Sequence, residues 1–229
     1  MKVSFGIGLF LLASSMACTP YKSASPATPL NGNTAISQSS LPVDASTGQS
    51  GGNCPLTMSV TPVIHGLKLG MTTEEVLALF PGSKDDDEVK SILARPASKL
   101  GVSELIIRPE KFQSKENYKG INHITFSLLD GRVSTFTVTY NGPAYSHVDQ
   151  FVTRFVDGTN LPPADQWQAF VGLDNQLKTL TCKDFEVRVF AGGEKGNLNY
   201  VLMTDLEAHK KLKDRRAKAR AQATPSPTQ

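Results

Sequence analysis

The sequence of 229 residues contains little that carries catalytic or metal chemistry. Its three cysteines and four histidines show no His-x-x-x-His, His-Glu-x-x-His or clustered Cys/His spacing, which argues against a metal site. No Gly-rich loop stands between a predicted strand and helix, which argues against nucleotide binding. The contiguous carboxylates at residues 85–88 lack the alternate spacing of a calcium loop and instead predict a negatively charged helix N-terminus. We therefore expect no cofactor, no metal ion and no enzymatic activity.

Long apolar runs are also absent. Residues 3–12 form an apolar stretch that is too short for a bilayer of ~30 Å, which takes ~20 residues. Lys2 before it and the small residues at 13–17 after it predict a signal peptide over residues 1–17. Ser15 and Ala17 lie three and one positions before Cys18, and this arrangement resembles the lipobox of bacterial lipoproteins. The resemblance implies that Cys18 is the acylated N-terminus; the alternative is simple secretion with Cys18 free or paired.

The odd number of cysteines bears on their pairing. If Cys18 is acylated, Cys54 and Cys182 remain to form a disulfide bond in an oxidising compartment. The alternative is two separate buried thiols. Residues 18–53 are rich in Ser, Thr, Pro and Gly and carry two charges, so they predict a disordered tether with too little apolar surface to fold.

The formal net charge of +3 is unevenly distributed. Residues 18–203 carry 16 basic and 18 acidic side chains, whereas residues 204–229 carry seven basic and three acidic ones. This distribution argues against a nucleic-acid partner. A basic helix is predicted over residues 205–222, capped by Thr204 and followed by a disordered tail at 223–229. We expect it to project into solvent or to lie against anionic lipid, lipopolysaccharide or an acidic partner. The basic residues that would bind such a surface are Lys210, Lys211, Lys213, Arg215, Arg216, Lys218 and Arg220.

Residues 54–204 predict one α+β domain. Thr72 and Glu75 form a predicted capping box at the start of the first helix, and Asp130 with Gly131 predicts a hairpin turn. An i, i+3, i+4 apolar stripe from residue 148 predicts a later helix that Ser146 caps. Alternating strand patterns follow each helical part. We therefore expect two successive helix-then-antiparallel-strand units, with the helices packed on one face of a sheet.

The stretch Gly-Leu-Lys-Leu-Gly-Met-Thr-Thr-Glu-Glu-Val within residues 66–82 resembles the SmpA/OmlA (BamE-like) family of small outer-membrane lipoproteins. The duplicated layout is similar to that of β-lactamase-inhibitor proteins. The resemblance implies an exported, lipid-anchored, non-catalytic protein at the outer membrane, facing the periplasm or the cell surface, which acts through contact with an envelope protein. The alternative is a secreted, soluble binding or inhibitor module of the β-lactamase-inhibitor type. A hydrolase is the third candidate.

Overall fold

The structure is a computed structural model that describes residues 54–173, 175–192 and 199–223. Four α-helices occur in these residues: α1 (Thr73–Ala78), α2 (Asp87–Leu93), α3 (Val148–Val156) and α4 (Leu206–Ala223). No helix within these ranges combines the length and the apolar character needed to cross a membrane.

The strands join in a single antiparallel sheet. They are β1 (Val102–Ile107), β2 (Ile121–Leu129), β3 (Arg132–Tyr140), β4 (Gln168–Ala169), β5 (Leu177–Thr181), β6 (Phe185–Phe190) and β7 (Asn199–Asp205). Their order across the sheet is β1-β2-β3-β7-β6-β5-β4. The last strand of the described residues, β7, therefore lies at the centre.

The predicted fold, with two successive helix-then-strand units and their helices as a layer on a sheet, is wrong, because all seven strands form one sheet and the helices against it are few and short. β7 pairs with β3 on one side, where Met203 faces Phe136, and with β6 on the other, where Met203 faces Val187. The strands after α3 thus extend the first group instead of forming a second unit. Alternating hydrophobicity indicates strands, although it did not indicate the two-residue β4, and it carries no information about which distant strand becomes a neighbour.

Short-range predictions at helix starts have mixed outcomes. The capping box of α1 is confirmed, because Glu75 N donates to Thr72 Oγ1 at 3.2 Å and Thr72 N donates to Glu75 Oε2 at 2.7 Å. At α3 the predicted Ser146 cap is wrong. His147 is the N-cap there, and its Nδ1 accepts from Asp149 N at 3.2 Å.

Two further helix starts depend on carboxylates. The acidic run at 85–88 does begin a helix, as predicted, and Asp86 Oδ1 accepts a hydrogen bond from Val89 N at 3.1 Å. At α4 the predicted Thr204 cap is wrong, because the cap is the last residue of β7, one position further on. Asp205, the next residue, accepts from Ala208 N through Oδ1 at 2.9 Å. The helix N-termini are thus correctly located to within one residue.

The register places alternate side chains on two faces of the sheet. One of them, the core face, carries large buried residues in register, such as Phe126, Phe136 and Met203, each no more than 1% exposed. The buried apolar side chains of α1, α2 and α3 belong to the same cluster, so they cover this face. These helices have only six to nine residues. Irregular segments therefore supply much of the remaining cover, through residues that include Leu67, Met71, Phe112, Tyr118, Leu161 and Trp167.

Candidate interaction surface

The opposite side of the sheet, here called the open face, presents small hydroxyl side chains. The register places on it Thr125, Ser127, Thr135, Thr137, Thr139, Thr179, Thr181 and Thr204. Apart from Thr139 these residues are half-buried or exposed, and none belongs to the core cluster. Charge is sparse there: Arg188 Nε pairs with Glu186 Oε1 at 2.6 Å, and Glu104 lies at the edge. Antiparallel sheets commonly keep one face in contact with water, as this one does.

An aromatic row crosses the open face near one end, and it consists of Phe170, Leu177, Phe190 and Tyr200. Leu177 faces Phe190 and Phe190 faces Tyr200 in the register, and the last two rings stack with centroids 5.1 Å apart at 15°. Phe170 N donates to Leu177 O at 3.1 Å, which extends the row to the sheet edge. Leu177 is 9% exposed yet lies outside the core cluster. The row is therefore a separate apolar feature.

The loop that follows Phe170 continues this apolar surface. Phe170 is 51% exposed, Val171 is 91% exposed and Leu173 is 38% exposed. The loop is nevertheless ordered by backbone bonds, because Leu173 N donates to Phe170 O and Leu177 N donates to Leu173 O, both at 2.8 Å. Three large apolar side chains exposed within four positions form a patch of the kind that marks interaction sites.

Helix α4 is bound to the domain through the β2–β3 turn. In this turn Asp130 and Gly131 have φ values of 53° and 77°, which confirms the predicted hairpin. Arg215 donates to both Asp130 oxygens at 2.8 Å, and Lys211 Nζ donates to Asp130 Oδ2 at 2.8 Å. Arg215 Nη1 also donates to Leu100 O at 2.7 Å. These cations hold the pKa of Asp130 well below its ordinary value. We call this arrangement the Asp130 clasp.

Two of the seven predicted basic residues form the clasp. Lys211 and Arg215 are four positions apart, so they share the helix side that faces the domain. Lys210 and Lys213 project from the opposite side, and Arg216 also lies away from the clasp. These three side chains are exposed, as is Lys218. The anion that α4 contacts within the described residues is thus a carboxylate of its own chain, and a cationic outer side remains available.

The outer edge of β1 borders a groove of about 620 Å³ between α2 and α4, lined by residues that include Ile92, Arg95 and Arg216. The N–H and C=O groups of Val102 point outward at this edge. Ser98 N donates to Val102 O at 2.8 Å, and Val102 N donates to Ser98 Oγ at 3.1 Å. Residues 104 and 106 have the same outward orientation, because backbone direction alternates along a strand. No described strand pairs with β1 on this side.

A second depression, here called the α3 cleft, lies where α3 meets the end of β3. Its volume is about 560 Å³, and its walls include Tyr140, Tyr145, Phe151 and Phe155. It opens on the core-face side, since Tyr140 follows the buried Val138 by two positions. The α3 cleft is therefore separate from the aromatic row.

Cys54 and Cys182 form a disulfide bond with an S–S distance of 1.99 Å, whereas Cys18 lies outside the described residues. No group of three His, Cys, Asp or Glu side chains suited to a metal ion occurs among the residues described. His123 lies in β2, where its Nδ1 is 2.7 Å from Asn122 Oδ1, and burial lowers its pKa.

No protein-family model, curated protein or solved structure matches the chain. The resemblance to SmpA/OmlA lipoproteins at residues 66–82 therefore stays a prediction. In the structure this motif has local roles: Gly70 adopts a φ of 79° and donates from its N–H to Val133 O at 2.8 Å, and Thr72 caps α1.

Sequence reasoning missed two features of these surfaces. Asp130 was recognised as a turn residue, but its contact with α4 joins positions 85 residues apart, and no local pattern signals that pairing. The sequence gives only a weak indication of the exposed apolar loop. Three large apolar residues, Phe170, Val171 and Leu173, precede Asp174 in a segment with no clear helical or strand period. Such a run also suits a buried loop, so the sequence alone did not reveal their exposure.

Proposed function

We propose that this chain is an exported, lipid-anchored binding protein of the cell envelope, non-catalytic, which contacts another envelope protein through the open face. The observation that carries the proposal is the aromatic row, which lies on a face that α1, α2 and α3 leave uncovered. Aromatic side chains are enriched at protein interfaces, because they bury a large area with little loss of conformational freedom.

The dimensions of the open face suit such a contact. The seven strands are spaced ~4.8 Å apart, and each is about six residues long on average. The projected area of the face is therefore about 600 Å². A standard protein interface buries ~800 Å² on each partner. The open face together with the exposed loop at Val171 therefore offers about one standard interface. Its hydroxyl groups allow hydrogen bonds to a partner without the desolvation of many charges.

The anchoring part of the proposal rests on the sequence at the N-terminus and on the charge of α4. An acylated Cys18 would hold the domain near a membrane through the tether predicted for residues 19–53, since a flexible chain of that length has an r.m.s. span of ~30–35 Å. Lys210, Lys213 and Arg216 on the outer side of α4 would then attract anionic headgroups. Each basic side chain near such a surface contributes ~1 kcal/mol.

The test of the open face uses affinity capture from envelope extract with the full chain as bait. The variant Phe170→Thr/Tyr200→Thr removes two members of the aromatic row while keeping residues that favour strands. Val63→Thr, which changes a residue 58% exposed away from the open face, is the matched control. We expect a partner that wild type and the control retain and that the row variant loses, with the same ranking when the partner is purified. Equal binding by all three proteins would contradict the use of this face.

The anchor is tested by growth with a fatty-acid analogue, for which Cys18→Ala is the control. We expect label in the wild type and none in the variant. An unlabelled wild type would refute the anchor and favour the secreted alternative.

The outer side of α4 is tested by co-sedimentation with vesicles that contain phosphatidylglycerol. The variant Lys210→Gln/Lys213→Gln/Arg216→Gln should bind at least tenfold more weakly than Lys84→Gln/Lys90→Gln/Lys99→Gln, which removes three exposed lysines elsewhere. Equal binding of the two variants would exclude a specific role of α4.

A further inference from the structure

The α3 cleft combines apolar walls with unpaired cations. Its volume of about 560 Å³ lies within the ~300–1,000 Å³ typical of small-molecule sites. Lys119 and Arg154 line it from opposite elements, the turn before β2 and α3. Among the described residues, neither cation forms an ion pair with a carboxylate. Asp157 also lines the cleft, so its net formal charge is +1 with His65 neutral. Burial lowers the pKa of His65, which supports that state.

Tyr145 contacts one of the two cations of the cleft. Arg154 Nη1 donates to Tyr145 Oη at 3.5 Å, which is a long contact that a better acceptor can replace. Tyr140 lies beside Tyr145, and burial together with that neighbour raises the pKa of Tyr140. Its hydroxyl therefore stays protonated at neutral pH and can donate a hydrogen bond. A guanidinium and two phenol groups thus lie near one another in the cleft.

The cleft walls beside these polar groups are flat and apolar. Phe151 stacks on Tyr145 with centroids 5.1 Å apart at 17°, and it meets Tyr140 edge-on at 5.6 Å. Phe155 continues the wall along α3. Such rings bind a planar apolar body by stacking or edge contacts.

We propose that the α3 cleft binds a small organic anion that has a flat apolar body, with its carboxylate held by Arg154 and the tyrosine hydroxyls. A guanidinium is suited to this task because its planar fork matches a carboxylate in two parallel hydrogen bonds. The rings cover the apolar body. The site is independent of the open face and of the lipid anchor.

The single tryptophan provides a reporter. Trp167 lies behind the cleft wall, with its ring 6.4 Å from that of Phe155 and nearly perpendicular to it. Its indole N–H donates to Pro162 O at 2.9 Å. A uniformly ¹⁵N-labelled protein therefore gives one indole N–H signal, and its chemical shift responds when a ligand changes the environment of Phe155.

The experiment titrates the full chain with three probes of the same shape: 1-naphthoate, the neutral 1-naphthalenemethanol and the cationic 1-naphthylmethylammonium. We expect 1-naphthoate to shift the indole signal in a saturable manner and to bind at least tenfold more tightly than the other two probes. Arg154→Gln and, separately, Lys119→Gln should reduce this preference for the anion. Arg95→Gln, which removes an exposed arginine outside the cleft, should preserve it.

Three results would overturn the proposal. The first is no saturable binding of 1-naphthoate up to several millimolar. The second is equal affinity for the anion and the alcohol, which would leave only nonspecific apolar binding. The third is an unchanged preference in both cleft variants, since that would place the anion elsewhere. The dispersion of the backbone spectrum shows whether each variant is folded, and both substituted side chains are exposed.

Discussion

Reduction of the Cys54–Cys182 bond should strongly destabilise the domain. The bond joins positions 128 residues apart, so it encloses most of the described chain. For a loop of that length the chain-entropy relation gives a stabilisation of about 5 kcal/mol at 25 °C, through restriction of the unfolded chain. Domains of this kind typically have unfolding free energies of ~5–15 kcal/mol. The bond would therefore supply a large part of the total.

Urea unfolding with and without a thiol reductant measures this contribution. Oxidised and reduced wild type have the same side chains and differ only in the S–S bond. The difference between their unfolding free energies is therefore the contribution of the cross-link. The reductant should have no effect on Cys54→Ala/Cys182→Ala, which serves as the control. Thiol titration of unfolded, unreduced Cys18→Ala protein should detect no free thiol. Two free thiols would show that the bond is absent. A loss below ~1 kcal/mol with the bond present would refute the entropic argument.

Two more predictions concern the Asp130 clasp. Asp130→Asn should raise the rate of amide hydrogen exchange in α4 at pH 7, whereas Asp214→Asn should leave that rate unchanged. Because the pKa of Asp130 is lowered from 3.8, the wild-type clasp should persist above that pH and weaken only as the pH falls through the lowered pKa. Gly101→Ala should release α4 in the same exchange assay, because its Cβ would touch Asp130 Oδ1 and lie 2.7 Å from Arg215 Nη1. Gly120→Ala, with a similar φ of 85° but open space around it, is the matched control for backbone strain of ~1–2 kcal/mol.

Unchanged α4 exchange in Asp130→Asn would show that contacts other than the clasp hold the helix. Equal effects of the two glycine variants on α4 would show that strain, and not contact with the clasp, is responsible.

The accuracy of the sequence predictions depends on the range of the interaction. Thr72 and Glu75 are three residues apart, and Asp130 and Gly131 are adjacent, so the capping box and the hairpin turn follow from local chemistry. The predicted caps of α3 and α4 failed by one residue, because His147 and Asp205 also accept hydrogen bonds from the first turn. Several neighbouring side chains can perform this task, and the sequence does not rank them.

Long-range features could not be predicted in this way. The pairing of β7 with β3 places Met203 opposite Phe136, but many other apolar pairs satisfy the same sequence pattern. The open face follows from that pairing, since its rows exist only when strands from both halves are adjacent. The cationic outer side of α4 was predicted as a charge cluster, but its separation from Lys211 and Arg215 required the position of Asp130.

The central position of β7 sets a condition on when this protein can fold. Until residue 205 is available, β3 has a bare edge, and the strands on either side of the centre have nothing to join them. The disulfide imposes a similar order, because Cys54 must wait for Cys182. Contacts of such long sequence separation form slowly, since the intervening chain must first be restrained. The pairing that joins the two halves of the sheet therefore forms only after residues 199–205 have been synthesised, however early the outer strands can pair.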